Sequence, residues 1–119
     1  MSDARAAAEE HVAAFNAWDT ARVLAGFAPD AVWVTGQDRF VGTTALAELF
    51  DHGLWGRVPH LEVKTLLVDG DGDAAALEVV ESMVVDGEQQ VFAVAAFLDV
   101  DETGRIRRGT VYREGNADI

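Results

Sequence analysis

Residues 91–98 read Val-Phe-Ala-Val-Ala-Ala-Phe-Leu, an unbroken apolar run between Gln90 and Asp99. The run is too short for a membrane span, and its β-branched and aromatic side chains predict a strand over residues 89–100. Successive side chains of a strand point to opposite faces of the sheet. Both alternate rows are apolar here, one made of Phe92, Val94, Ala96 and Leu98 and the other of Val91, Ala93, Ala95 and Phe97. We therefore expect both faces of the sheet to be covered at this strand.

Turn signals on either side of this strand predict an antiparallel meander. Further strands are predicted at residues 60–68, 75–85 and 106–113. Asp86-Gly87 is a strong hairpin signal, and glycine-containing turns at residues 69–72 and 102–104 join the other strands. Strands that follow one another through short turns pair in antiparallel fashion, so we expect four antiparallel neighbours in the second half of the chain.

Helical signals dominate the first half. Ser2 or Asp3 can cap a first helix, and Asp19 can cap a short second helix. This second helix is expected to carry Phe27 and to end before Pro29, since the residue before a proline avoids the helical region. Helices followed by a meander of strands indicate the α+β class.

Between the second helix and the meander the pattern predicts a strand, a turn and a third helix. Residues 31–35 are rich in β-branched and aromatic side chains, and residues 39–41 can return as a short hairpin partner. Thr43 or Thr44 can cap the third helix, and Gly53 can stop it. A loop is expected after Gly53.

Composition and charge exclude several classes of function. The 119 residues are 50% hydrophobic and 25% charged, which is typical of one globular domain, here taken as residues 1–119. The net charge of −12 repels phosphate groups, so we expect neither nucleic acid nor an anionic membrane as a partner. The absence of cysteine excludes a thiolate nucleophile and fits a reducing compartment. The first ten residues do not read as a signal peptide, so a cytoplasmic location is expected.

Self-association is the second expectation that follows from the doubly apolar strand. The helices can cover the concave face of the sheet, but the outer face needs another partner. A second copy of the same chain is the simplest partner for that face. We expect a homodimer formed through the outer sheet face.

Four segments resemble the SnoaL-like domains of the nuclear transport factor 2-like superfamily, which have a ketosteroid isomerase-like cone fold. These are His-Val-Ala-Ala-Phe-Asn-Ala-Trp-Asp at residues 11–19, Val-Leu-Ala-Gly-Phe-Ala-Pro-Asp-Ala-Val-Trp at 23–33, Gly-Thr-Thr-Ala-Leu-Ala-Glu-Leu-Phe at 42–50, and Gly-Arg-Ile-Arg-Arg-Gly-Thr-Val-Tyr-Arg-Glu at 104–114. The resemblance implies three N-terminal helices packed on a curved, mostly antiparallel sheet that forms a cone, the cystatin-like or ketosteroid isomerase-like arrangement. It does not imply one function, because isomerases, hydrolases, cyclases and non-catalytic modules share this scaffold.

The resemblance also identifies the places where related enzymes keep their catalytic groups. Ketosteroid isomerases use a tyrosine, an aspartate base and a protonated aspartate at places that correspond to His11, Thr35 and Ala96. Epoxide hydrolases of this fold use an arginine and two aspartates at places that correspond to Val94, Ala96 and Val111. Of these five residues only His11 can act as an acid or base near neutral pH.

An apolar pocket inside the cone is the expected site, and it suits a small hydrophobic molecule. The expected pocket-lining residues are Phe15, Trp33, Thr35, Met83, Phe92, Val94, Ala96, Leu98, Val111 and Arg113. The alternative is that these side chains simply fill the cone as core. A filled cone would point to a dimeric assembly domain without a ligand.

Three polar residues are candidates for chemistry in the pocket. His11 is either an acid or base or a histidine at the rim. Glu81 lies in an otherwise apolar row of its strand, and either this row or the opposite row faces inward. Arg113 either reaches the pocket to hold an acidic ligand or Glu81, or makes a surface ion pair. With His11 and Glu81 as catalytic residues the protein would be a polyketide cyclase- or isomerase-type enzyme.

No cofactor and no metal ion are expected. His52 and His60 bracket a segment without a ligand spacing motif. The acidic turn at residues 69–73 lacks the glycine and glutamate that a calcium-binding EF-hand loop requires, and it is expected to be a hairpin turn.

Overall fold

The computed structural model describes residues 3–56, 58 and 61–113. The cap candidate Ser2, the metal candidate His60 and Glu114 of the last motif lie outside the described residues. The elements in chain order are α1 (Ala4–Asn16), α2 (Thr20–Ala25), β1 (Phe27–Thr35), β2 (Asp38–Val41), α3 (Thr43–Glu48) with a π-helical continuation (Leu49–Trp55), β3 (Glu62–Asp71), β4 (Ala74–Val85), β5 (Glu88–Val100) and β6 (Ile106–Arg113).

The strands form one six-stranded sheet in the order β2-β1-β6-β5-β4-β3. Strands β3 to β6 are an antiparallel meander as predicted, and only the pairing of β1 with β6 is parallel. Bulges interrupt the register in β1, in β3 and between β5 and β6, and bulges bend a sheet. Helices on one side of this curved, mixed sheet give the α+β cone fold that the sequence predicts. None of the helices formed by the described residues is long and apolar enough to cross a lipid bilayer.

Two aspartates cap the first two helices. The Asp3 carboxylate accepts a hydrogen bond from the Ala6 backbone N–H at 3.1 Å, and Asp19 accepts one from the Arg22 N–H at 3.1 Å. The second helix ends at Ala25, earlier than predicted, so Phe27 belongs to β1. Pro29 is exposed in β1, within the break in register between β1 and β6, where its missing N–H costs no ladder bond.

The third helix differs from the prediction at both ends. Gly42 is the N-cap residue, with φ 87° and no capping side chain, so neither Thr43 nor Thr44 caps the helix. Gly53 does not stop it, because the chain continues as a π-helix to Trp55. This continuation buries Trp55, whose ring lies 5.6 Å from that of Phe50.

The two faces of β5 differ sharply in exposure. Val94, Ala96 and Leu98 are buried on the inner face, whereas Val91 and Phe97 on the outer face are 60% and 51% exposed. The helices therefore cover the concave face only. No element formed by the described residues covers the outer face.

Gly109 is required for the contact between β1 and β6. It is the β6 residue opposite Trp33, and a Cβ atom added to it would overlap the Trp33 ring and lie 3.2 Å from Leu98 Cδ2. We expect Gly109→Ala to lower the free energy of unfolding by about 2 kcal/mol, because the ring must leave its position in a packed core.

Chemical denaturation of Gly109→Ala tests this expectation, with Gly26→Ala as the matched control. Gly26 has φ −83° and the nearest atom to an added Cβ lies 3.4 Å away, so the control should change stability little. Equal stability of the two variants would contradict a packing role for Gly109.

Candidate functional site

A cavity of the cone, called the main cavity below, has a volume of about 750 Å³. It lies between α1, the third helix with its π-helical continuation, the β1–β2 hairpin and the end of β6. Its walls are His11, Phe15, Trp33, Val34, Thr35, Gly36, Gln37, Asp38, Phe40, Leu49, Phe50, Gly53, Leu54, Glu81, Thr110, Val111, Tyr112 and Arg113. About half of these residues carry apolar side chains, and a cluster of aromatic rings lies at one end.

The His11 ring is part of that aromatic cluster. Ring centroids of Trp33, Phe27, Phe50 and Phe15 lie 5.3, 5.7, 5.9 and 6.3 Å from it. Its Nδ1 atom is buried and has no hydrogen-bond partner among the described residues. Burial among these rings disfavours the charged form and lowers the pKa of His11 from 6.5 to about 4.

His11 is therefore a neutral imidazole at physiological pH. A neutral imidazole has one nitrogen that accepts and one that donates a hydrogen bond, and it carries no charge for an anionic ligand. It can accept a proton only weakly and holds none to donate as an imidazolium. This histidine suits hydrogen bonding to an uncharged ligand.

Glu81 and Arg113 form an ion pair on the wall of the main cavity. An Arg113 Nη2 atom donates a hydrogen bond to Glu81 Oε1 at 2.6 Å, and the side chains are 27% and 8% exposed, respectively. Glu81 lies on the buried inner row of β4 between Val79 and Met83, so this row, not the opposite one, faces inward. The two residues belong to β4 and β6, so the pair spans the intervening β5. The Nε atom of Arg113 is buried without a hydrogen-bond partner among the described residues.

The structure places seven of the predicted site residues around the main cavity: His11, Phe15, Trp33, Thr35, Glu81, Val111 and Arg113. Both catalytic candidates, His11 and Glu81, therefore line one space. No hydrogen bond joins these two described side chains, since the Glu81 contact goes to Arg113 and the Nδ1 atom of His11 is unpartnered.

The remaining predicted lining residues lie elsewhere, which corrects the expected position of the pocket. Val94, Ala96 and Leu98 are buried core residues of β5, and Phe92 packs against this core. Helix α1 packs across β3, β4 and β5 and fills the cone at that side. The open space consequently lies under β1 and β6. Met83 lines a smaller neighbouring cavity.

Several residues that line the main cavity were not predicted from the sequence. Phe40 comes from the short β2 strand, and Leu49, Phe50 and Leu54 come from the third helix and its continuation. The apolar spacing of Leu46, Leu49 and Phe50 was visible, but it indicates only a buried helix face. This spacing does not indicate that part of the helix face borders the main cavity.

The described residues contain no cluster of three or more histidines, cysteines or carboxylates that could hold a metal ion. His52 is exposed on the π-helical segment. The acidic segment 69–73 forms the end of β3 and the turn into β4, as expected for a hairpin.

Solved structures with the same fold include three informative relatives. An epoxide hydrolase from Mycobacterium tuberculosis, described as LEH-like, is 28% identical, with a TM-score of 0.80 over 93% of this chain and 82% of that one. A candidate polyketide cyclase from Xanthomonas campestris pv. campestris is 24% identical, with a TM-score of 0.84 over 97% and 91% of the two chains. A protein with a ketosteroid isomerase-like fold from Catenulispora acidiphila, solved with trimethylamine, is 15% identical, with a TM-score of 0.77 over 89% and 83%.

Sequence comparison leads to the same fold family. A search of curated protein sequences finds no match. The profile of the SnoaL-like domain, in contrast, matches residues 8–109, which is most of the chain. This match includes most of α1 with His11, the β1–β2 hairpin, and β4 with Glu81, and it ends at Gly109 in β6, before Arg113. The chain belongs to the SnoaL-like domain family.

Proposed function

We propose that this SnoaL-like domain binds a small, predominantly apolar molecule in the main cavity. The observation that carries the proposal is a space of about 750 Å³ lined by aromatic and aliphatic side chains together with several polar ones. Ligand sites for drug-sized molecules have this size and this kind of lining. An assembly domain with a filled cone would leave no such space.

The charges around the cavity favour an uncharged ligand. Glu81 and Arg113 neutralise each other, and His11 is neutral at physiological pH. The further charge in the cavity wall is the carboxylate of Asp38, which is exposed on the β1–β2 hairpin. A carboxylate ligand could reach the Arg113 charge only by competing with Glu81. At Glu81 an ammonium ligand would have to compete with Arg113 in the same way, and either exchange leaves one charge without its partner.

A thermal-shift panel of uncharged steroids and aromatic polyketides tests the proposal. A ligand at 100 times its Kd should stabilise the protein by about 2.7 kcal/mol. Val111→Phe, which places a ring in the main cavity, should abolish the shift. Val41→Phe makes the same change at an exposed position of β2 and should leave it intact. A panel without any shift in the wild-type protein would count against the proposal.

An acid–base enzyme of polyketide cyclase or isomerase type is the second candidate. The observation in its favour is that His11 and Glu81 line the same cavity. Because the relative from M. tuberculosis is an epoxide hydrolase, epoxides belong among the substrates to be assayed. At the places where the resemblance puts the catalytic residues of such hydrolases this chain has Val94, Ala96 and Val111. Glu81 is the buried carboxylate of the cavity wall and is the base that this candidate would use.

Turnover of epoxides and of enolisable ketones by the wild-type protein would support this candidate. Glu81→Gln should then reduce kcat/KM by about 100-fold or more, as loss of a general base does. Glu78→Gln changes an exposed carboxylate of the same strand and serves as the control. Equal activity of both variants would show that Glu81 does not act as the base.

We also propose that two copies associate through the outer sheet face. An outer apolar patch is formed by Val91, Ala93, Ala95, Phe97 and Tyr112, with the exposed carboxylate of Glu78 beside Ala95. Phe97 and Tyr112 make an edge-to-face contact at 5.9 Å. Contiguous exposed apolar surface of this kind is typical of interaction sites. A second copy presents the same patch, so a two-fold axis pairs apolar with apolar surface.

Light scattering should therefore show a dimer for the wild-type protein. Phe97→Arg should raise the dissociation constant by about 100-fold, because it places an unpaired charge in the interface. Val41→Arg introduces the same charge at the exposed edge of the sheet and should leave the dimer intact. A wild-type monomer at working concentrations would refute this association.

A further inference from the structure

A second cavity of about 380 Å³ lies next to the main cavity. Its walls are Gly53, Leu54, Val58, Leu61, Met83, Val84, Val85, Asp86, Gly87 and Arg113. This second cavity lies at the end of the cone where the β4–β5 turn and the end of the π-helical segment meet. Apart from Arg113 and the turn residue Asp86, its side chains are apolar, so it suits an extension of an apolar ligand.

Three residues line both cavities and form the wall between them: Gly53, Leu54 and Arg113. Gly53 has no side chain, so the wall consists of the Leu54 and Arg113 side chains. Arg113 is held in this position by Glu81, which lines the main cavity only. The ion pair is thus the fixed part of the partition.

We propose that Arg113, held by Glu81, limits ligand length by closing the main cavity toward the second cavity. The proposal rests on ligand binding in the main cavity and names its selectivity: compact uncharged molecules bind, and elongated ones are rejected at the partition. Arg113 is in this role a specificity-determining residue. It needs no direct part in any reaction.

The magnitudes show why the partition holds against a longer ligand. Burial of each additional methylene group tightens binding by about fourfold. Displacing Arg113 leaves the Glu81 carboxylate buried and unpaired, which weakens binding by about 100-fold or more. A ligand that is longer by one or two methylene groups gains too little to open the partition, so affinity stops rising at the length that fills the main cavity.

A series of uncharged primary alcohols from 1-hexanol to 1-dodecanol tests this length limit. Each alcohol is used below its solubility limit to displace the uncharged fluorescent probe N-phenyl-1-naphthylamine. For the wild-type protein the affinity should rise by about fourfold per methylene group and then level off. For the double variant Glu81→Gln/Arg113→Ala the rise should continue for about three more methylene groups, since no buried charge is left unpaired.

Two further variants separate the partition from a general effect on the fold. Leu54→Ala opens the same wall without touching the ion pair and should also extend the length limit. Arg108→Ala removes an exposed arginine from the same strand and should leave the limit unchanged. Near-ultraviolet circular dichroism checks that each variant keeps its packed core.

The outcomes distinguish the two proposals. Failure of the probe to bind the wild-type protein and all variants would overturn ligand binding in the main cavity, and the length limit with it. Binding with the same length limit in the wild-type protein, the double variant and Leu54→Ala would overturn the partition alone. We expect the length limit to be extended in the double variant and in Leu54→Ala but not in Arg108→Ala.

Discussion

Replacement of Arg113 by methionine is expected to lower the free energy of unfolding by about 3 kcal/mol. The Glu81 side chain is 8% exposed, and Arg113 is its only ion-pair partner among the described residues. Methionine retains much of the volume of arginine but leaves this carboxylate buried without a counter-charge. Because the Arg113 side chain is itself 27% exposed, water can reach part of the site, and the loss should lie at the low end of the range for buried pairs.

The double variant Glu81→Met/Arg113→Met should recover most of this loss. Removal of both partners leaves no unpaired charge, and burying two apolar chains of similar size is often neutral. Urea unfolding at one fixed protein concentration measures both variants, since association with a second copy would otherwise alter the apparent stability. Equal m-values would show that the two variants unfold from equally compact states.

Arg108→Met is the matched control for the single variant, because this exposed arginine belongs to the same strand. It should change stability by less than about 0.5 kcal/mol. If Arg113→Met and the double variant are destabilised equally, the loss comes from packing around Arg113. The unpaired carboxylate would then have no measurable cost.

The order of elements was predictable because it depends on local patterns. Alternation along β5 separates its side chains into two apolar rows, and the structure has the row of Val94, Ala96 and Leu98 buried. The Asp86-Gly87 turn was equally clear, since both residues adopt the positive φ values, 52° and 80°, of a tight hairpin. These features need no knowledge of distant contacts.

The helix ends were less predictable because tertiary packing overrides local signals there. Gly53 is a common stop signal, yet the helix continues as a π-helix because Trp55 is buried in the core by that last turn. Phe27 has helical spacing with Val23, but it pairs with Ile106 of β6 in the parallel part of the sheet. A strand partner almost eighty residues away leaves no trace in the local pattern.

The candidate site was predictable in its residues more than in its position. Glu81 stood out as an acid in an apolar row, and His11 stood out on the face of the first helix that also carries Phe15. The placement of α1 decided where the empty space remains. That placement depends on sheet curvature, so the core residue Ala96 and the cavity residue Val111, which are paired neighbours in the sheet, could not be told apart.

Acidification should destabilise the protein through His11. The pKa of His11 is lowered from 6.5 to about 4 by burial in the folded chain, while the unfolded chain keeps the ordinary value. Between about pH 6.5 and pH 4 the unfolded chain therefore binds a proton that the folded chain does not. The free energy of unfolding falls as the pH falls through this window, by about 3 kcal/mol in total, and His11 adds no further loss below it.

Replacement of His11 by phenylalanine isolates this contribution. The variant keeps an aromatic ring beside Trp33 and Phe50 and removes both the titrating group and the buried unpartnered Nδ1 atom. Other groups that titrate in the same window remain in both proteins, so the difference between the two stability–pH curves reports His11 alone. We expect the variant to lose about 3 kcal/mol less than the wild-type protein between pH 7 and pH 4. Parallel curves for wild-type protein and His11→Phe would show that His11 is solvated in the folded chain.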